Sequence, residues 1–219
     1  MEFKRFAVSL AGAALFATPA LAQELAAAPE VEPAPPANAP ASYVLPPREA
    51  DGQWRTPNGG IGAEEAAWHL RVALNVAALG CRAAAEARTV AGYNALLADR
   101  KEALATAAAA SEAAFRAKYG EGWRAAHDDA MTRLYNFWAQ PPVQAAFCAE
   151  ARAVLSEQAG VEPSSFAAWT AASLHRLEAP FTAFYTAFDS YRAELAAYRA
   201  RRAAPVEVAS VEPAVLAAR

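Results

Sequence analysis

Cysteine and histidine are scarce in this sequence of 219 residues, which contains two cysteines and three histidines. The histidines are far apart, at His69, His127 and His175. None has a second histidine or a cysteine three or four positions away, the spacing at which helices usually present metal ligands. The motifs GxSxG and HExxH and the glycine-rich phosphate loop are also absent. We therefore predict no metal centre and no cofactor, and no motif identifies a catalytic residue.

An excess of positive charge is also lacking, because the formal net charge is -3. A nucleic-acid-binding domain needs a basic surface to contact phosphates, so we predict no nucleic-acid partner. Beyond the N-terminus, no stretch is long and charge-free enough to supply the roughly 20 apolar residues of a membrane-spanning helix. We therefore expect no transmembrane segment after an N-terminal signal is removed.

Alternation of apolar and polar residues, the pattern of a half-buried strand, is missing throughout the sequence. Alanine accounts for 64 of the 219 residues, and it favours helix while burying little surface. The larger apolar residues suffice for the core of one domain. The sequence therefore predicts an all-α fold, a single bundle-like domain of about five to six helices.

The first 22 residues have the three parts of a secretory signal. Lys4 and Arg5 precede an apolar stretch, and the small residues of Ala20-Leu21-Ala22 place the cleavage site before Gln23. The apolar stretch is too short to span a membrane. We therefore expect a periplasmic or secreted protein.

The rest of the chain divides into three predicted parts. Residues 23–42 are rich in proline and alanine, which predicts a disordered linker. Residues 43–203 are expected to form an ordered arm, which contains Trp54 and two turn signals, and then the helical domain. Residues 204–219 show no periodicity and are expected to be a flexible tail.

Within the helical domain, residues 68–81 (WHLRVALNVAALGC) carry a broad apolar arc and predict the central helix. A second helix is expected from about Val90 to Tyr119, a third from Trp123 to Trp138, and a fourth after Pro141-Pro142. Pro180 is expected to break or kink the fifth segment, so that a final helix begins at Phe181.

The two cysteines, Cys81 and Cys148, both lie on predicted apolar helix faces. In an exported protein a single pair of cysteines is most simply a disulfide. Closing a loop of this length stabilises a fold by roughly 4 kcal/mol in the chain-entropy model. The alternative, a reactive or metal-binding thiol, has no CxxC pair or neighbouring histidine to support it.

Aromatic residues recur at steps of three and four from Phe181 to Tyr198 and form a stripe along the last predicted helix. We expect Phe184 and Phe188 to be buried. Tyr191 and Tyr198 are expected to be partly exposed and to offer an interaction surface. That surface would serve self-association, an envelope protein partner or an apolar ligand.

Polar residues within the helices offer an alternative function. His127, Asp128 and Asp129 form the densest polar cluster, and with His69 they could build a hydrolase-type or metal-dependent site. Adjacent helical residues point in different directions, however, so a solvated face is the simpler interpretation. Asn75 lies within an apolar run, where a buried amide is expected to brace a neighbouring segment.

The combination QWRTPNGG, WHLRVALNVAALGC, YNALL and a distant FC resembles a family of small exported alphaproteobacterial proteins. The resemblance covers Gln53 to about Cys148. It implies a helical domain in the cell envelope and transfers no catalytic residue. We therefore expect an envelope protein that acts without catalysis, as an interaction or apolar-ligand-binding module.

Overall fold

The structure is a computed structural model that describes residues 30–82 and 87–203. The predicted signal at 1–22, the start of the linker and the predicted tail lie outside these ranges. The chain divides into two units, Met1–Val31 and Glu32–Arg219, and the second contains the helical domain. Its described residues form six α-helices: α1 Ala63–Gly80, α2 Ala87–Asp99, α3 Lys101–Tyr119, α4 Trp123–Trp138, α5 Gln144–Glu157 and α6 Phe166–Ala203.

The all-α prediction is confirmed. In the described ranges the only β-structure is an isolated antiparallel bridge between Arg48 and Trp54. The predicted limits of the third helix agree with α4, because Gly120–Gly122 and Pro141 interrupt the chain on either side of it.

Helix α1 is the central helix of the domain, as its apolar arc predicted. It contacts each of the other five helices. Leu70, Val72 and Leu74 are completely or almost completely buried along it. Trp68 and Val76 on the same arc are half-buried, and Leu79 near its end is exposed. The elements that carry functional side chains are therefore positioned around α1.

The disulfide between Cys81 and Cys148 is present, as predicted, with 5.9 Å between the two Cα atoms. Cys81 caps the end of α1 and Cys148 lies in α5. Both are buried. The bridge therefore ties the end of the central helix to a helix 67 positions later.

The predicted helix from Val90 to Tyr119 is wrong, because the chain turns at Arg100 between α2 and α3. Arg100 leaves helical geometry, with φ -118° and ψ 21°. Its guanidinium bonds to the carbonyl of Val161 and lies over the ring of Phe166, 5.2 Å from the centroid. The change of direction lets α2 pack on α5 while α3 packs on α1 and α4. No glycine or proline marks this break, which depends on tertiary contacts.

Of the break or kink expected at Pro180, the break is wrong, since α6 is one helix of 38 residues. Proline removes one backbone donor and costs roughly 3 kcal/mol inside a helix. Leu177 and Phe181, on either side of it, are fully buried. Each contributes about 1.5–3 kcal/mol through burial, which offsets that cost.

Part of the predicted disordered linker is instead packed on the domain. Pro36–Asn38 form a short 3-10 helix that contacts α6 and the turn Pro141–Val143. Ala39 is 4% exposed beside it. Proline limits the freedom of the unfolded chain, so little conformational entropy is lost when this segment docks. Disorder was therefore the wrong expectation for this part of the segment.

Candidate functional site

The segment 43–62, which we call the arm, lies across α6 through aromatic contacts. The ring of Tyr43 meets that of Phe184 edge-on, with centroids 5.0 Å apart, and lies 5.3 Å from that of Phe188. Trp54 donates a hydrogen bond from Nε1 to Oγ1 of Thr186, at 3.0 Å. Its ring also lies 5.7 Å from that of Tyr185. We call the contact among Tyr43, Trp54 and the aromatic residues of α6 the aromatic seam.

Two tyrosines of the aromatic seam, Tyr43 and Tyr185, bond the same side-chain amide, that of Gln140. Gln140 donates from Nε2 to the carbonyl of Phe137, at 2.8 Å, and the same nitrogen lies 2.7 Å from Oη of Tyr185. Tyr43 donates its hydroxyl to Oε1 of Gln140. Burial raises the pKa of both tyrosines, so both remain protonated. The polar groups of Tyr43, Gln140 and Tyr185 thus bond one another within the protein.

On its other side, the arm joins α1 and α6 through Asn58. The amide nitrogen of Asn58 donates to Oε1 of Glu178, at 3.0 Å. Because the nitrogen is used there, Oδ1 of Asn58 is the acceptor for Nδ1 of His69, at 2.8 Å. The proton of the His69 ring therefore lies on Nδ1, and Nε2 carries the lone pair.

His69 is neutral at physiological pH. The residue is 5% exposed, and desolvation lowers its pKa to about 4. In the described chain no residue bonds Nε2. Nε2 is not among the fully buried side-chain atoms that lack a partner, so it is open to solvent.

A cleft of about 350 Å³ opens beside His69, between the arm and helices α1, α3 and α4. Its polar side chains are those of Arg55, Thr56, Glu65, His69 and Arg133. Its apolar wall consists of Pro57, Phe115, Ala130, Met131 and Leu134. Trp68 fixes part of this wall, since its Nε1 donates to Sδ of Met131 at 3.2 Å.

The charged side chains of the cleft differ in their pairing. Arg55 is exposed and binds Glu49 with two nitrogens, at 2.6 and 3.1 Å. Arg133 is exposed, whereas Glu65 is half-buried. Neither Arg133 nor Glu65 has an ion pair with another residue in the described parts of the chain. The cleft thus contains two unpaired acceptors, Glu65 and Nε2 of His69.

The predicted interaction surface at Tyr191 and Tyr198 is not partly exposed, and that expectation was wrong. Their exposed fractions are 7% and 9%. Tyr191 packs against Phe188, with ring centroids 5.4 Å apart. Phe184 and Phe188 are buried, as expected. The Pro36–Asn38 helix contacts α6, and Tyr43 of the arm packs on Phe184 and Phe188, contacts that the aromatic pattern of α6 alone could not reveal.

The structure does not assemble the predicted acid–base cluster. Nδ1 of His127 lies 3.9 Å from Oδ1 of Asp128, whose side chain is 84% exposed, and Asp129 is exposed as well. The His127 ring instead packs edge-on against Phe115, at 5.1 Å. Within residues 30–82 and 87–203, no three acidic, histidine or cysteine side chains gather as metal ligands.

The amide that braces the central helix is Asn58, not Asn75. Asn75 is half-buried, and its side chain makes no hydrogen bond to the described residues. Asn58 appeared in the sequence only as part of a turn signal, Asn58-Gly59. Its partner Glu178 is 120 residues away, so no local pattern could have paired them.

None of the helices in the described ranges is long and apolar enough to cross a bilayer. Comparisons with family models, curated proteins and solved structures found no match to this chain.

Proposed function

We propose that the protein is an exported envelope module that binds a small, largely apolar ligand without catalysing a reaction. The cleft beside His69 is the binding site. The observation that carries this proposal is a concave apolar wall next to Nε2 of His69, an acceptor that the described residues leave unpaired. Ligand pockets combine apolar walls with a few polar groups that orient the bound molecule.

Catalysis by His69 is a weaker hypothesis for the cleft than ligand binding. A general base works best when its pKa is near the working pH. Burial brings the pKa of His69 to about 4, which makes Nε2 a weak base. A neutral acceptor in this position suits binding better than proton transfer.

Export is supported by two features of the chain. The buried disulfide between Cys81 and Cys148 is of a kind that persists in oxidising compartments. Residues 1–22 have the pattern of a secretory signal. We expect N-terminal sequencing of protein recovered from the periplasm or medium to begin at Gln23. An intact Met1 in the recovered protein would contradict export by this route.

Filling the cleft tests the binding site. Ala130 is half-buried on the cleft wall, so Ala130→Trp should occupy the space. We expect the neutral probe N-phenyl-1-naphthylamine to fluoresce when it binds the wild-type protein. Its affinity should fall at least tenfold in the variant.

The matched control is Ala125→Trp, because Ala125 is exposed on the same helix and does not line the cleft. This variant should bind the probe like the wild type. If Ala130→Trp folds with wild-type circular dichroism and still binds the probe equally well, the cleft is not the site.

A further inference from the structure

Two acceptors lie one helical turn apart in the cleft. Glu65 and His69 occupy positions i and i+4 of α1, so their side chains are neighbours on one face. Both line the cleft. A ligand that enters it therefore meets two groups that accept hydrogen bonds.

Hydrogen bonds at Nδ1 of His69 determine that Nε2, the other ring nitrogen, is an acceptor. Glu178 accepts from Asn58, and Asn58 accepts from Nδ1 of His69. Asn58 and Glu178 do not line the cleft, so Nε2 is the ring nitrogen left for a ligand. The carboxylate of Glu178 polarises the hydrogen bonds from Asn58 and His69, and this makes Nε2 a stronger acceptor.

We propose that the ligand carries a protonated amine on a small apolar body. This inference rests on the proposed function and adds the chemical class of the ligand. The ammonium group lies between Glu65 and Nε2 of His69, and donates to both. The apolar body lies against Phe115, Met131 and Leu134.

The charges around the cleft favour a cation over an anion at this position. Glu65 has no cationic partner in the described chain, whereas the charge of Arg55 is offset by Glu49. Arg133 also lines the cleft but is exposed, so that solvent screens its charge. A carboxylate in the same place would meet the negative charge of Glu65 and a lone pair on His69. The ring of Phe115 adds a favourable surface for a cation.

Three probes of similar size and different charge test this inference: 2-phenylethylamine, 2-phenylethanol and 3-phenylpropanoate. Isothermal titration calorimetry at pH 7 should show the amine binding at least tenfold more tightly than the alcohol, and the acid binding most weakly. The amine should also displace N-phenyl-1-naphthylamine.

Glu65→Gln should remove the preference for the amine and leave the affinity for the alcohol within about twofold. Glu64→Gln is the matched control, because Glu64 is the adjacent, exposed glutamate and does not line the cleft. It should retain the preference. Circular dichroism of both variants establishes that they fold.

Several results would overturn the inference. They are equal affinities for amine and alcohol in the wild type, tighter binding of 3-phenylpropanoate, or an amine preference that survives Glu65→Gln. In each case binding of the neutral probe and its loss in Ala130→Trp would leave the proposed function standing. Probe binding that is indifferent to Ala130→Trp would remove the proposed function itself.

Discussion

The arm meets the helical domain in two regions that differ sharply. In the aromatic seam, Tyr43 and Trp54 fill the space above α6, and the hydroxyl and amide groups bond one another. In the cleft, the same arm leaves about 350 Å³ open, and Nε2 of His69 has no partner in the described chain. Asn58 lies where the two regions meet, since it bonds both Glu178 of α6 and His69 of α1.

The difference shows which region is structural and which is suited to a ligand. A core tolerates few voids and few unpaired buried polar groups, because both destabilise the fold. The aromatic seam obeys this rule. The cleft differs because it is open and leaves Nε2 of His69 without a partner in the described chain, as a ligand site would.

The largest expected effect comes from breaking the aromatic seam with Tyr43→Ala. The change removes a ring that contacts Phe184 and Phe188, and it deprives Gln140 of a donor. We expect the free energy of unfolding to fall by about 3 kcal/mol. Urea denaturation followed by tryptophan fluorescence measures the loss.

Val44 is 82% exposed beside Tyr43, so Val44→Ala is the matched control and should change stability by less than about 0.5 kcal/mol. If Tyr43→Ala is equally neutral, the arm does not depend on the seam.

The seam was only partly predictable from the sequence. The positions of Phe184 and Phe188 follow helical periodicity, and the arm was expected to be ordered because it contains Trp54. The partners could not be paired, since Tyr43 and Phe184 are far apart in the chain. Tyr191 and Tyr198 have an equally clear periodicity, but periodicity alone did not predict their burial.

The cleft was less predictable still. The sequence offers His69 only as a possible partner of His127, Asp128 and Asp129 in a catalytic or metal site. Its actual partner, Asn58, is in a turn whose contacts local patterns do not reveal. Some helix boundaries were likewise predictable from the sequence and others were not. Those of α4 follow glycine and proline, whereas the turn at Arg100 and the continuity through Pro180 depend on neighbouring elements.

The pH dependence of stability probes the cleft, and its expected effect is comparable in size to that of Tyr43→Ala. The folded-state pKa of His69 is about 4, below the usual 6.5, so between these values the unfolded chain binds more protons. Stability should therefore be unaffected by His69 above about pH 6.5 and should decline by about 3 kcal/mol as pH falls to about 4.

Comparing denaturation at pH 7 and pH 5 in wild type and His69→Gln isolates this contribution. The variant should lose part of the decline, and His175→Gln, at an exposed histidine on α6, should keep it. An unchanged decline in His69→Gln would mean that His69 does not cause it.

The smallest expected effect, and the one that separates the two regions most cleanly, comes from Asn58→Ala. The change leaves Nδ1 of His69 and the carboxylate of Glu178 without their shared partner. Unsatisfied groups of this kind cost about 1–3 kcal/mol, and access of water to half-buried Asn58 places the loss near 1 kcal/mol. The aromatic seam keeps all of its own contacts, so the arm should remain docked and Trp54 fluorescence should not change. Asn75→Ala removes a half-buried amide of α1 that has no such partners, and it should be close to neutral.

In Asn58→Ala the His69 ring is no longer held by Asn58 and can take either tautomer. Affinity for 2-phenylethylamine should therefore fall, while affinity for N-phenyl-1-naphthylamine stays the same. A loss of both affinities together would show that Asn58 shapes the cleft as a whole, and that the orientation of His69 is not what selects the ligand.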